Sequence, residues 1–292
     1  MNIFTGLERI VKKDQPLAQY TWYGLGGSAE YFITPATMDE LTEVVKRCAE
    51  NRIDIRVLGF GSNLLVRDEG VKGAVIKLEG DEFSKYEFDD TLLTAYAGAN
   101  LNAVVLECVR RGLAGMEALT GIPGSIGGAV KMNAGGSFGD IGASIESVLL
   151  MDKDGEIFEK SKPELEFDYR CSNITARIIV AANIRLVETE PEQLLSTLKE
   201  IWIYKKNSQP LNSKNAGCIF KNPRGLSAGA LIDRAGLKGL QIGAAQVSEK
   251  HANFIVADEG CTSADVIRLI ESIRQRVIEE FDIELELELE IW

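Results

Sequence analysis

Residues 121–139 read GIPGSIGGAVKMNAGGSFG, seven glycines and a proline with few polar side chains between them. Side-chain chemistry has little to work with here. A bare backbone suits a planar or phosphorylated ligand that must lie against main-chain N–H groups, because glycine has no Cβ and tolerates φ > 0. Successive N–H groups in such turns form concave nests for anions. The same composition suits a tight crossover packed beneath a sheet, and glycine alone does not separate the two readings.

Residues 55–66, IRVLGFGSNLLV, supply a second glycine turn, flanked by apolar runs that read as strand, loop and strand. It is no dinucleotide fingerprint, because Gly59 and Gly61 lack a third glycine and no helix pattern follows. It is no phosphate-binding P-loop either, since no Gly-Lys-Ser/Thr follows. Two glycine loops without either fingerprint suggest a nucleotide whose diphosphate is enclosed by loops from two lobes.

At 292 residues the chain is long for one core, and two or three lobes are expected. A net charge of −12 argues against nucleic acid or an anionic membrane surface as partner. No apolar run approaches the roughly 18 residues of a membrane span. The opening MNIFTGLERIVKKDQP has no signal-peptide core, so a cytoplasmic location is expected. The cysteines, Cys48, Cys108, Cys171, Cys218 and Cys261, are scattered, and His251 is the only histidine, so no metal site is expected.

Along the chain, Thr37–Arg52 reads as an amphipathic helix with a Thr37/Glu40 capping box and a stripe of Leu41, Val44, Val45 and Cys48. Strands follow at 55–58 and 74–78, a βαβ-type lobe over residues 1–78. An acidic spacer, EGDEFSKYEFDD (79–90), marks the change to a second lobe over 79–196. That lobe reads as a strand at 92–97, a helix from Asn102 closed by Gly112, a hairpin across 148–158, a strand at 177–186 and a helix from Pro191 through Ile201. Residues 197–292 form a third unit with a helix at 263–281 and a last strand. The class is α+β. The last strand, IELELELEI, alternates strictly from Ile283 to Ile291, with Glu284, Glu286, Glu288 and Glu290 on one face. Carboxylates in line repel, so at least one needs a cation or a special environment.

VLGFGSNLLV, GIPGSIGGAVKMNAGG, the Tyr169-Arg170 pair and NAGCIFKNP together resemble the UDP-N-acetylenolpyruvoylglucosamine reductase family. The likeness runs from about Thr21, where TWYGLGGSAEYF looks like the family's opening motif, to the C-terminus. It implies a two-lobed FAD-binding domain of the vanillyl-alcohol-oxidase type with a C-terminal α+β substrate domain. It implies FAD and NADPH as cofactors and a UDP-linked enolpyruvyl amino sugar as substrate; no nucleic-acid or membrane partner is expected, and the oligomeric state stays open with a monomer favoured. FAD would be held by Gly59, Phe60, Gly61, Ser62, Asn63 and Leu64, and by Gly121, Ile122, Pro123, Gly124, Ser125, Gly127, Gly128, Ala129 and Asn133.

In that family NADPH reduces the flavin, and the hydride then passes to the methylene carbon of the enolpyruvyl ether. The developing carboxylate-stabilised charge needs a cation, and the adjacent carbon needs a proton. By resemblance Arg170 is the cation, Glu288 orients the acid or the cationic groups, and Cys218 stands where the family most often has a proton-donating serine. Glutamates two residues either side of Glu288 are the alternatives. A thiol, ordinarily of pKa about 8.5, yields a proton more readily than a hydroxyl. Tyr169, Lys206 (with Lys205 beside it), Asn222 and Gln246 are candidate substrate contacts, while His251 is given no role. The short span from Arg170 to Cys218 suggests the compact version of the enzyme. Two other readings stay open: a flavin-dependent oxidase on the same fold, and a sugar-nucleotide-binding protein without activity.

Overall fold

The computed structural model describes residues 3–292. The chain forms two compact units. The first takes the N-terminal segment to Asp14, Glu30–Phe60 and Lys72–Ile203; the second takes Gln15–Ala29, Gly61–Val71 and Tyr204–Trp292.

The first unit begins on helix α1 (Met38–Glu50), whose stripe of Leu41, Val44, Val45 and Cys48 is buried. Thr37 caps it by accepting from the Glu40 amide, but the Glu40 carboxylate reaches the amide of Ala36 at 2.8 Å, so the expected reciprocal box is displaced by one residue. The helix shares its core with Ile33, Ala74 and Ile76 of a four-stranded sheet, ordered Val11–Pro16, Ser28–Ile33, Val71–Lys77 and Ile55–Leu58. The last two strands are parallel, with Ile55 opposite Ala74. Their crossover is the second glycine turn rather than a helix.

The acidic stretch at 79–90 is no spacer. It folds into a one-turn helix α2 (Asp81–Ser84), pinned by fully buried Phe83, and the edge strand Tyr86–Asp89. That strand opens a five-stranded antiparallel sheet whose order runs Tyr86–Asp89, Leu92–Tyr96, Ile178–Arg185, Ile145–Met151 and Ile157–Ser161. Helix α3 (Leu101–Arg111) starts on an Asn100 cap and ends where Gly112 adopts φ +70°. The opening glycine stretch contains helix α4 (Ile126–Lys131) where a loop was expected, with Ser125 as cap. Gly127 is needed because α4 lies against the sheet: its amide donates to the Ala97 carbonyl at 2.8 Å, and a Cβ there would lie 2.8 Å from the Ala97 Cβ. Helix α5 (Pro191–Ser208) runs one to two turns past its expected end at Ile201, as far as the segment before Pro210.

The second unit is built on α7 (Ser263–Phe281), opened by a Thr262/Asp265 capping box. Its buried Val266, Leu269, Ile270, Ile273 and Val277 form one core with Leu231 and Ile232 of α6 (Ala228–Arg234) and with Val247 and Ile255 of a three-stranded meander over residues 241–257. Gly61, at φ +64°, joins this unit so closely that a Cβ would lie 2.1 Å from the Tyr20 carbonyl oxygen. The C-terminal strand is much shorter than its alternation suggests. Only Glu290–Ile291 pairs, in parallel with Leu64–Leu65, and a single bridge joins Leu287 to Phe220. The amides of Glu288 and Leu289 both turn to the Ile219 carbonyl, at 2.8 and 3.2 Å, which breaks the ladder. The alternation still sorts burial, with Leu285 and Leu289 inside.

Candidate active site

The first unit brings the two glycine loops together. A Cβ on Gly59 would lie 2.7 Å from Ser125 Oγ, so the Gly59 turn passes directly over the cap of α4. Gly121 and Gly124 take φ of +71° and +154°, and Ile122, Pro123 and Gly124 are half-exposed, a stretch of main chain without bulky cover. The amides of Ile126 and Gly127 are spent on Ala99 and Ala97, so the open main chain lies before the helix rather than along it. These features fit a flat, diphosphate-bearing group.

In the same unit, a short hairpin mounts the arginine. Phe167–Asp168 and Cys171–Ser172 pair antiparallel, which leaves Tyr169 and Arg170 as the turn. Arg170 has φ +55°, a left-handed conformation uncommon outside glycine, asparagine and aspartate. Its guanidinium donates to the Gly135 carbonyl at 2.8 Å and lies 5.1 Å from the Tyr169 ring centroid. The hairpin is tied to α4 by Ser172 Oγ, which donates to Lys131 O at 2.8 Å, and by Lys131 Nζ, which donates to Ile174 O at 2.6 Å. Asn133, expected at the cofactor, is buried with its amide engaged by protein at both ends, donating to Asp168 O and accepting from the Gly142 amide.

The second unit sets Cys218 beside the C-terminal segment. Asn253, 2% exposed, clamps residue 220 by accepting from its amide at 3.0 Å and donating to its carbonyl at 2.7 Å, while its own carbonyl accepts from Ile219. Ile219 in turn accepts from Glu288, so the half-buried Cys218 precedes the residue that fixes the glutamate's main chain. Asn63 Nδ2 donates to the Glu288 carbonyl at 2.9 Å, and the Glu290 amide donates to Asn63 O. The four glutamates now separate. Glu284, Glu286 and Glu290 are exposed, with Glu284 paired to Arg274 at 3.0 Å and Glu286 to Lys221 at 2.5 Å; Glu288 is half-buried.

The other expected residues are distributed as follows. Gly59 and Phe60 belong to the first unit, Gly61, Ser62, Asn63 and Leu64 to the second. Leu64 is buried in the pairing with Glu290. Gly128 and Ala129 lie within α4, Gly128 exposed and its amide directed to Ser125 Oγ. Tyr169 is exposed at the turn. Lys206 is exposed, whereas its neighbour Lys205 is buried at 7% exposure. Asn222 accepts from the Ala228 amide at the start of α6, and Gln246 donates to Gly239 O at 3.3 Å. His251 accepts from the Asn253 amide through Nδ1, and burial, followed by the charge of Lys238, lowers its pKa.

Burial pushes the Cys108 thiol up to about 12 and Cys48 to about 11. Cys261 is also raised to about 11, by burial first and then by Asp265, Asp258 and Asp68. Among the described residues no group of three or more His, Cys, Asp and Glu could hold a metal ion, and no helix is long and apolar enough to cross a membrane.

Residues 209–292 match the C-terminal domain family of UDP-N-acetylenolpyruvoylglucosamine reductase, and residues 29–161 match the FAD binding domain family. The reductase of Heliobacterium modesticaldum is 42% identical over 282 residues, 96% of this chain and 90% of that protein. The chain belongs to the UDP-N-acetylenolpyruvoylglucosamine reductase family. The Syntrophus aciditrophicus reductase is 41% identical over 95% of this chain and 90% of its own length. The crystal structure of the Thermus caldophilus reductase superposes with a TM-score of 0.85 at 42% identity, over 97% of this chain and 98% of that one. The fold is therefore an FAD-binding domain joined to the reductase family's C-terminal domain, as the motifs implied.

Lys131, Ser172 and Asn253, which hold the two reductase segments in place, were not singled out from sequence. Their bonds reach main-chain groups 33 to 43 residues away, and nothing local to them signals such a partner.

Proposed function

We propose that this chain catalyses the NADPH-dependent reduction of UDP-N-acetylenolpyruvoylglucosamine to UDP-N-acetylmuramate, a step in making peptidoglycan precursors. It is an FAD-dependent oxidoreductase. The observation that carries the residue-level reading is the separation of Glu288 from its three exposed neighbours, on a main chain fixed next to Cys218.

Bound FAD supplies a two-electron relay between the nicotinamide and the enolpyruvyl double bond. The loops at Gly59–Leu64 and Gly121–Ala129 hold it largely through main chain. Hydride arriving at the methylene carbon leaves negative charge on the adjacent carbon and its carboxylate. The Arg170 guanidinium binds that carboxylate in two-pronged fashion and stabilises the charge as it develops. The Cys218 thiol gives its proton to the adjacent carbon, and solvent returns one to the thiolate. Glu288 orients the acid. Tyr169, Lys206, Asn222 and Gln246 contact the substrate.

Residues 1–78 and 79–196 are read as the two lobes around FAD and 197–292 as the substrate domain. The enzyme works as a monomer in the cytoplasm, where UDP-linked sugars and NADPH are available.

Anaerobic addition of NADPH, then of the UDP-linked enolpyruvyl sugar, tests this. The yellow protein should bleach with the first and regain its colour with one equivalent of the second. A colourless protein that stays colourless with added FAD would instead be a sugar-nucleotide-binding protein. Recolouring by air and not by the enolpyruvyl sugar would make it an oxidase.

A further inference from the structure

One buried side chain underlies the turn that carries Arg170. Asn133 is 2% exposed, its Nδ2 donates to the Asp168 carbonyl at 3.0 Å, and its Oδ1 accepts from the Gly142 amide at 2.9 Å. Asp168 pairs with Cys171, so that carbonyl sits at the base of the two-residue turn. The other end of the arginine is fixed close by, because its guanidinium donates to Gly135 O at 2.8 Å, two residues beyond Asn133.

Neither anchor has room to drift. A Cβ on Gly135 would lie 2.4 Å from Gly139 O, and one on Gly142 would lie 2.6 Å from Phe167, the residue before Asp168. Asn133 takes φ +46°, a conformation asparagine tolerates, whereas Arg170 at φ +55° is one that persists only when its surroundings impose it.

We infer that Asn133 is a positioning residue for Arg170, holding the base of the turn where the Gly135 carbonyl can set the direction of the guanidinium. The inference rests on the role given to Arg170 above. It takes the Asn133 side chain away from the cofactor, because both ends of its amide are engaged by main chain.

The test compares flavin content, bleaching by NADPH and recolouring by the UDP-linked enolpyruvyl sugar in the holoenzyme and in Asn133→Gly, Arg170→Ala and the double variant. Glycine keeps the left-handed backbone and deletes the tether. Flavin content and bleaching should stay within about twofold of wild type, while recolouring slows about ten- to a hundredfold, the cost of a misplaced group. In the Arg170→Ala background Asn133→Gly should add nothing, since a residue that acts only through the arginine has nothing left to position. Asn133→Asp keeps the acceptor for Gly142 but sets a carboxylate oxygen against the Asp168 carbonyl. It should give the same split, and it stands in if the glycine variant does not fold. Loss of flavin, equal slowing of both halves, or a full effect in the Arg170→Ala background would overturn the inference and leave the arginine's role standing. If Arg170→Ala itself recolours at the wild-type rate, the role given to Arg170 fails and the inference with it, while the reductase reading stands.

Discussion

The turn bearing Arg170 and the segments bearing Cys218 and Glu288 are held by different kinds of bond. Around Arg170 the ties are side chain to main chain: Asn133 to Asp168, Ser172 to Lys131, Lys131 to Ile174. Around Glu288 they are chiefly main chain to main chain, Glu288 to Ile219, Ile219 to Asn253 and Lys221 to Glu286, with Asn63 and Asn253 as side-chain clamps. A turn carried on side-chain tethers can be moved by one substitution while its unit stays folded. Main-chain bonds fix the backbone itself, so exchanging one side chain alters chemistry without moving the rest.

The largest effect expected from this contrast is at Glu288. Glu288→Gln should slow reduction of the enolpyruvyl sugar by about 10²–10³, the cost of losing one preorganised group in a transition state. Glu284→Gln, Glu286→Gln and Glu290→Gln should each stay within about twofold, because exposed ion pairs contribute little. Single-turnover recolouring rates of the four variants decide it, and an equal loss at Glu290 would move the assignment along the strand.

Next in size is the clamp. Asn253→Ala leaves the Phe220 amide and carbonyl, both buried, without their side-chain partner and should cost about 2–3 kcal/mol in a urea melt. A variant as stable as wild type would mean that the main-chain bonds alone hold the Cys218 segment.

A smaller effect distinguishes the inert thiols. Cys48 and Cys108 are held protonated by burial up to about 11 and about 12, whereas an unfolded chain releases those protons near 8.5. Above that lower value the unfolded state binds fewer protons, so stability falls as pH rises, by about 2 kcal/mol per thiol at pH 10. Cys108→Ala should lower stability at pH 7 through lost packing yet flatten the decline between pH 8.5 and 10 by about that amount. An unchanged slope would refute the burial effect.

The smallest effect is at Gly136, next to the arginine's acceptor. A Cβ there meets nothing within 4 Å, so Gly136→Ala should leave both stability and rate within about 0.5 kcal/mol of wild type. A large loss would show that a bound ligand, rather than any part of the chain, lies against Gly136.

Much of this was legible in the chain. The stripe of α1, the length of α7, the hairpin at 148–158 and the Gly112 end of α3 follow from periodicity and capping alone, while the start of α3 lies at the Asn100 cap rather than at Asn102. Alternation in IELELELEI sorted burial correctly, but it could not show that two amides share the Ile219 carbonyl and end the ladder. Composition hid α4, because glycine content signals a loop while Ser125 and the sheet beneath it make a helix. The acidic stretch at 79–90 misled for the opposite reason: charge outweighed Phe83, whose burial organises it. Motif resemblance singled out Arg170, Cys218 and Glu288 as candidates, and the structure added what mounts their main chain. Asn133 was visible as part of a motif, but its bonds to Asp168 and Gly142 depend on tertiary placement and leave no spacing to read.

The central chemical claim is that the thiol of Cys218 completes the reaction by giving up its proton, and recolouring of the NADPH-reduced enzyme followed across pH tests it most directly. Cys171 is exposed beside Arg170, so the measurement is made in a Cys171→Ser background to keep a second thiol out of the profile. The wild-type thiol predicts a rate that falls on the alkaline side as it ionises, Cys218→Ser should turn over without that limb, and Cys218→Ala should bleach normally and recolour very slowly. An alkaline limb that survives in Cys218→Ser, or recolouring of Cys218→Ala at the wild-type rate, would contradict the claim.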